Sequence, residues 1–442
     1  MNLDALVSNT KQHLGHGIDV ASDLLVDHAL GCEVIMTNGQ SYLDLTSGIG
    51  VTSTGHCHPK IVQAVQDQVA KMSHAQINLF YNRPLLTLIQ RLRRYTGSLD
   101  TFCFNNSGSE AVESAIKLAR QATNRPNVIV FYGGHHGRTM GAMALSAPTN
   151  IYNAALGSHM PGVYYVDFPD TVHCAARDTP GHSAEHCIQN VMHQLDTLFK
   201  QRSQSNDIAA VLIEPVLGEG GYLAAPPGFF QCLRAVCDAH GILLIADEVQ
   251  TGFGRTGRMF AMEHWGVEPD ILVMAKGIAS GYPLSAIASR KALMDTLPPG
   301  SMGGTYAGNI ISCSAAVATL NVFEQERLLN NVQARSVQLL RRLHADLPGV
   351  LPPMIQVDIR GLGLMIGLEF IHAPLGFAQR ITQYSRDRHR LLLLTASVYE
   401  TLRLIPPLVI DAASMDAAVD RLVAAVRDVV QDLDPHGQWL LP

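Results

Sequence analysis

The sequence predicts an α/β fold with a mainly parallel sheet, and three observations carry the prediction. Short apolar runs at 128–131, 163–166, 210–213, 243–246 and 271–274 alternate with helical stretches over roughly 200 residues. These runs are continuously apolar, as strands covered on both faces must be, and do not alternate with polar residues. Two of them end in lone charges, Asp247 after Ile242-Leu-Leu-Ile-Ala246 and Lys276 just past Ile271-Leu-Val-Met274. In open α/β sheets ligands lie outside the carboxyl ends of strands, so Asp247 and Lys276 are expected to face one crevice.

Taken in order, residues 1 to about 30 are polar with scattered leucines and read equally as a helix or as an arm laid on a partner. Residues 31–45 read as a hairpin because Asn38-Gly39 favours the tight turn between extended segments. Ser47-Gly48-Ile49-Gly50 reads as a close-approach loop. After the His56-Cys57-His58-Pro59 turn, Ile61, Val62, Val65, Val69 and Met72 recur at helical spacing. Then follow a helix over 85–94, a strand over 101–104 and a helix over 110–123. Two further helices, around 188–199 and 229–240, lie between the later strands. Beyond residue 312 the texture changes to one long helix, 314 to 347, a glycine-broken strand region over 359–370, and an amphipathic tail helix carrying Val419, Leu422, Val423, Val426, Val429 and Val430. This part is expected to form a smaller α+β domain together with the N-terminal hairpin, since chain ends commonly pack together.

An apolar fraction of 47% suffices for an extensive core. Lys and Arg number 32 against 38 Asp and Glu, a net charge of −6, which disfavours nucleic acid or an anionic membrane as main partner. The eight cysteines are scattered without a C-x-x-C pair, as expected of reduced thiols in a cytoplasmic protein. No secretory signal and no run of membrane-spanning length is read from the sequence.

Chemistry concentrates in a few segments. Asn106-Ser107-Gly108-Ser109-Glu110 follows a strand and opens a helix, with capping-box spacing between Ser107 and Glu110. Glycine permits close approach, two hydroxyls can donate, and a helix N-terminus favours an anion, so the segment reads as a phosphate cup as well as a capped helix. An acid that keeps a pyridine nitrogen protonated and a lysine that forms an imine are what pyridoxal 5′-phosphate requires.

These motifs resemble those of the class III (subgroup II) pyridoxal-phosphate aminotransferases, the family of 4-aminobutyrate, acetylornithine and ornithine aminotransferases. The matching pieces are Ser47-Gly-Ile49 with Thr54-Gly-His56, Asn106 to Ala111, His136-Gly137-Arg138-Thr139, Glu214-Pro-Val-Leu-Gly-Glu-Gly-Gly221, Asp247 to Gly257, Ala275-Lys276-Gly277, Gly304-Thr305-Tyr306-Ala-Gly-Asn309 and Leu402-Arg403, in order over residues 40 to 410. The resemblance implies the fold-type-I transferase architecture, a large domain on a mainly parallel seven-stranded-type sheet plus a smaller α+β domain. The expected division is 1–55 with the small domain, 56–315 as the cofactor domain and 316–442 as the C-terminal small domain.

The same resemblance implies site roles. Lys276 is the expected Schiff-base lysine and proton carrier, and Asp247 the partner of the pyridine nitrogen. Val249 packs the ring and Gln250 reaches its 3-oxygen. Ser107, Gly108 and Ser109 hold the phosphate, helped by Thr305 of a partner subunit, which makes the active site a property of a homodimer or of a tetramer built from it. The family places Phe or Tyr before His-Gly-Arg to stack on the ring, whereas this chain has His135, a smaller and titratable group. Arg403 is expected to bind an α-carboxylate and Glu214 to neutralise it when an ω-amine occupies the site. Arg138 is expected to bind the distal carboxylate. Ile49, where ornithine enzymes carry tyrosine, tilts the expectation to 4-aminobutyrate as donor and 2-oxoglutarate as acceptor, by a ping-pong mechanism. Acetylornithine-type or pyruvate-dependent ω-amine transamination, racemisation or epimerisation, and dialkylglycine-type decarboxylation use the same scaffold and stay open.

Two motifs from other chemistries are set aside. Gly252-Phe-Gly254-Arg-Thr-Gly257 has the G-x-G-x-x-G spacing of a nicotinamide oxidoreductase, but it is weakly followed by helix and preceded by two acids. His182-Ser-Ala-Glu185-His186 has H-x-x-E-H spacing, but Pro180-Gly181 before it argues against a zinc peptidase helix. No metal is expected. His56 and His58 are close enough for a metal, yet glycine and proline around them suit a turn.

Overall fold

The structure, a computed structural model, describes residues 3–147, 159–174, 183–396, 398–434 and 436–440. Strands β1 (Val26–Leu30), β2 (Glu33–Met36) and β3 (Ser41–Asp44) form an antiparallel meander. The expected hairpin is its second half, turning at Asn38-Gly39 with Gly39 at φ 80°. Next come β4 (Thr101–Asn105), β5 (Asn127–Phe131), β6 (Val163–Val166), β7 (Ile208–Ile213), the short hairpin β8 (Val216–Leu217) and β9 (Leu223–Ala224), then β10 (Leu243–Asp247), β11 (Ile271–Met274) and β12 (Ser285–Ser289). The second half carries β13 (Gln356–Leu362), β14 (Met365–Ile371), β15 (Leu391–Leu392), β16 (Leu394–Thr395) and β17 (Thr401–Leu404).

The central sheet has seven strands in the order β4-β12-β11-β10-β7-β5-β6. All neighbours are parallel except β12, which runs against both β11 and β4. The predicted α/β class is therefore borne out. Alternate residues of each strand enter opposite cores, as strand geometry requires. Val128, Val130, Ala210, Leu212, Ile245 and Val273 face helix Gly108–Thr123, while Ile129, Phe131, Val211, Ile213, Leu244 and Met274 face the other layer. Strand β12 was not anticipated. Its sequence, Ser-Ala-Ile-Ala-Ser, has little β-propensity, and it is held by two antiparallel ladders in a fully buried position.

A four-stranded sheet, β13-β14-β17-β16, stands apart from the central one, and β15 adds in parallel to β3 to complete the N-terminal sheet. N-terminal and C-terminal segments therefore share one sheet. The expected single helix over 314–347 is two helices, Ile310–Gln325 and Leu328–Asp346, separated at Arg327 with φ 51°. The first packs on helices Pro59–Val69 and Arg83–Leu92, the second on the tail helix Ala412–Val430. The two faces have different partners, so the chain must change direction between them. Lys60 and His58 fix the break through Glu326.

Candidate active site

Because β4, β5, β7, β10 and β11 run in one direction, their carboxyl ends lie along one edge of the sheet. The residues just beyond them converge on a cavity of about 380 Å³. Ser107, Gly108 and Ser109 come from the end of β4, His135 from β5, Glu214 from β7, Asp247, Val249 and Gln250 from β10, and Lys276 from β11; all line this cavity. The crevice expected for Asp247 and Lys276 is thus present.

At one end, helix Gly108–Thr123 begins with a complete capping box: Ser107 Oγ accepts from the Glu110 amide and Glu110 Oε2 accepts from the Ser107 amide at 2.8 Å. The amides of Gly108 and Ser109 belong to the helix's first turn, where no intrahelical acceptor exists, so they are donors with the helix dipole behind them. Ser109 Oγ accepts from the Arg138 amide at 3.1 Å, tying the start of this helix to the His135–Arg138 loop.

On the floor, Asp247 is buried with both oxygens engaged. Oδ2 lies 2.7 Å from His136 Nδ1, and Oδ1 accepts from the Val249 amide at 3.1 Å. His136 is itself buried, and its amide donates to Ser146 Oγ. Sequence reasoning did not single out His136, although its place between His135 and Gly137 in a matched motif was a usable signal. The amide oxygen of Gln250 is buried without a protein partner among the described residues, leaving hydrogen-bonding capacity at the cavity wall.

Lys276 occupies the left-handed backbone region at φ 46°, a strained position for a side-chain-bearing residue and one that recurs at functional sites. Burial pushes its ammonium pKa down against the pull of Glu214, Glu219 and Asp247, with Arg403 adding to the depression. A larger neutral fraction makes it a better nucleophile and base. Burial also raises the Glu214 carboxyl, helped by the Asp247 charge and opposed by His136 and by backbone donors. His135 is pushed down to about 4 by burial first, and then by its electrostatic neighbours His136, Lys276 and Arg138, with Glu219 opposing, so its imidazole is neutral near pH 7.

The expected pairing of Glu214 with Arg403 is corrected by the structure. Glu214 accepts from the His135 amide through Oε1 at 2.8 Å and from the Gly218 amide through Oε2 at 3.0 Å. Arg403, only 5% exposed on β17, pairs with Glu219 at 2.6 Å and donates through Nε to the Thr395 carbonyl. Glu214 follows β7 directly and is turned back on its own loop, whereas the β8–β9 hairpin carries Glu219 outward to β17. The glycines around Glu219 in Gly218-Glu-Gly-Gly221 were the available signal.

Four expected site residues do not line the cavity of a single chain: Arg403, which meets it through Glu219, and three exposed ones. Thr305 is exposed, Arg138 is exposed, and Ile49 is 48% exposed in a left-handed turn. The decoys take structural places. Gly252–Gly257 lies in turns that open no α-helix. His56 pairs with buried Asp44 at 2.8 Å and His58 with Glu326. Glu185 and His186 are in the first turn of helix Ala184–Gln201, and His182 falls outside the described residues. Among the described residues no group of His, Cys, Asp and Glu could hold a metal.

This cavity fits a phosphorylated pyridine aldehyde. It offers amide donors at a helix start, a buried acid, an unsatisfied amide and a lysine of lowered pKa within one enclosure. A family model of the class-III aminotransferases matches residues 17–426. The chain is 38% identical over 440 residues to 5-aminovalerate aminotransferase of Pseudomonas putida KT2440, covering 97% of this chain and 99% of that one. It is 39% identical over 420 residues to 4-aminobutyrate aminotransferase of Escherichia coli K12, covering 93% and 95%. Its fold is similar to an ornithine aminotransferase structure from Toxoplasma gondii with partial occupancy of pyridoxal phosphate, with a TM-score of 0.83 at 28% identity, covering 96% and 94%.

Proposed function

The chain belongs to the class-III aminotransferases, which are pyridoxal-phosphate-dependent, and we propose that it moves the amino group of an ω-amino acid, 4-aminobutyrate or its five-carbon homologue, to 2-oxoglutarate. The observation that carries this reading is the Arg403–Glu219 pair beside the Lys276 cavity. A transaminase must accept two substrates in one pocket. An ω-amine donor has no carboxylate next to its amino carbon, while glutamate does. A buried arginine neutralised by a nearby glutamate suits the first, and the same arginine released to a substrate carboxylate suits the second.

When bound, the cofactor supplies an aldehyde that Lys276 and the substrate amine take in turn, and a ring that accepts the electron pair of the deprotonated carbon. Lys276 Nζ takes the proton from the amino-bearing carbon of the substrate, and its lowered pKa favours that task. Asp247, oriented by His136, would hold a proton on the ring nitrogen. The amides of Gly108 and Ser109 with the hydroxyls of Ser107 and Ser109 bind the phosphate, joined by Thr305 from a second copy in a homodimer. Gln250 would orient the 3-oxygen, and Val249 and His135 would pack against the ring. Glu214 fixes the His135 loop through the His135 amide. Arg138 takes the distal carboxylate and Ile49 borders the donor chain, both from the rim of the site. The proposed setting is the cytoplasm, supported by the eight scattered thiols.

The test is steady-state turnover with 4-aminobutyrate or 5-aminovalerate against 2-oxoglutarate, with glutamate as the measured product. Parallel double-reciprocal lines are expected. Turnover restricted to α-amino donors would reject the ω-amino assignment.

A further inference from the structure

We propose that Arg360 is a positioning residue for amino transfer: it anchors the loop that presents Glu219 to Arg403, and thereby governs which carboxylate Arg403 holds. The inference rests on the reading of Arg403 as the receptor for an α-carboxylate.

Strand register puts the two arginines in one row. Arg360 on β13 stands opposite Gly367 on β14, and Gly367 stands opposite Arg403 on β17. Directly paired residues project to the same face of an antiparallel sheet, so the two arginines flank Gly367 in one row. The neighbouring row on that face is Asp358, Glu369 and Thr401.

The loop between β8 and β9 is seated on this surface. Arg360 Nε donates to the Gly221 carbonyl at 2.9 Å, while Arg403 meets Glu219 at 2.6 Å. Between them, a Cβ on Gly367 would stand 2.7 Å from the Gly221 carbonyl oxygen, and a Cβ on Gly221 would stand 2.9 Å from Arg360 Nη2. Glycine is therefore required on both sides of the contact, and the loop backbone lies directly on the sheet.

Arg360 is itself held on every donor edge. Nη1 donates to Asp358 and Nη2 to Glu369, both at 2.7 Å. Glu369 is fixed from the other side by His173 Nε2 at 2.8 Å. A planar guanidinium can serve two carboxylates and a carbonyl at once, which an ammonium cannot reproduce. The consequence concerns exchange at Arg403. With the Gly221 carbonyl anchored, Glu219 can leave Arg403 by side-chain rotation while its backbone stays in place, and it returns to the same position when the carboxylate leaves. Loosening the anchor weakens the Glu219–Arg403 pair. Arg403 is then incompletely neutralised for ω-amine donors and is more readily available to glutamate.

The experiment uses the cofactor-loaded enzyme and measures each half-reaction in single turnovers, with 4-aminobutyrate and with glutamate separately. Arg360→Lys is compared with Glu219→Gln, and thermal midpoint and bound-cofactor absorbance serve as controls. Arg360→Lys is expected to raise the concentration of 4-aminobutyrate needed for half-maximal rate by about tenfold, leave the maximal rate, and leave or lower that concentration for glutamate. Gly367→Ala, which pushes on the Gly221 carbonyl without removing a charge, is expected to give the same asymmetry. Equal losses for both donors, or an unchanged Arg360→Lys beside a Glu219→Gln that shows the asymmetry, would overturn the role of Arg360 while leaving Arg403's intact. A Glu219→Gln variant without asymmetry would overturn the reading of Arg403 and this inference with it.

Discussion

Arg403 Nη1 lies 2.6 Å from Glu219 Oε1, and Arg403 is almost fully buried. Despite burial, the guanidinium holds the Glu219 carboxyl below the usual carboxylate range. In the proposed role Arg403 receives the α-carboxylate, so removing it takes that receptor away and leaves Glu219 as an uncompensated charge. For Arg403→Ala, the glutamate half-reaction is expected to fall by about a hundredfold in kcat/KM and the 4-aminobutyrate half-reaction by much less. Single-turnover kinetics with each donor decide it, and equal losses would contradict the assigned role.

Lys276 is the only lysine that lines the described cavity, so nothing there can replace its amine. Lys276→Ala is expected to fold, to bind pyridoxal phosphate without a covalent bond, and to lose turnover by at least about a thousandfold. Borohydride reduction followed by mass measurement should label the wild-type chain and not the variant. Near-normal turnover in the variant would refute the lysine's role.

His135 presents a neutral imidazole, since burial and neighbouring positive charge push it down to about 4. Its titration thus lies below the working range, and it should leave no inflection in the activity profile between about pH 6 and about pH 9. His135→Phe enlarges the apolar face and is expected to slow loss of cofactor during dialysis, by roughly three- to tenfold in rate. Faster loss would mean that the imidazole contributes a contact the phenyl ring cannot.

His173 joins two parts of the fold. Its Nδ1 lies 2.6 Å from Asp170, its Nε2 lies 2.8 Å from Glu369, and its ring stacks on Tyr399 at 3.6 Å. Burial opposes its charge, but the two carboxylates outweigh burial and raise it to about 9. A raised folded-state pKa gives stability that is fully present below the unfolded value of about 6.5 and is lost as pH rises through about 9. The thermal midpoint should fall between these limits in the wild type and less steeply in His173→Gln. Identical pH profiles would show that the charge of His173 adds nothing to stability.

Much of this molecule is legible in the sequence, and the exceptions share a cause. Strands β5, β6, β10 and β11 and helix Phe229–His240 announce themselves through uninterrupted apolar runs or helical periodicity, both local signals. Ser107 to Ser109, Asp247 and Lys276 are legible because each sits at the end of such a run. Strand β12 is missed because its alanines and serines are chosen for close packing against two neighbours, not for β-propensity. The break at Arg327 is missed because no glycine or proline marks it; the chain turns there to satisfy partners distant in sequence. The choice between Glu214 and Glu219 as partner of Arg403 depends on how the β8–β9 hairpin is seated on β14 and β17. No periodicity in the segment records that contact.

Whether the Lys276 cavity holds pyridoxal phosphate and removes amino groups from an ω-amino acid is read from the visible spectrum of the purified protein before and after 4-aminobutyrate is added without a keto acid. A yellow band is expected that bleaches as one equivalent of succinic semialdehyde per site appears, and that returns on adding 2-oxoglutarate. A yellow band unmoved by 4-aminobutyrate and by 5-aminovalerate would contradict the substrate assignment. A protein that stays colourless after incubation with pyridoxal phosphate would contradict the site itself.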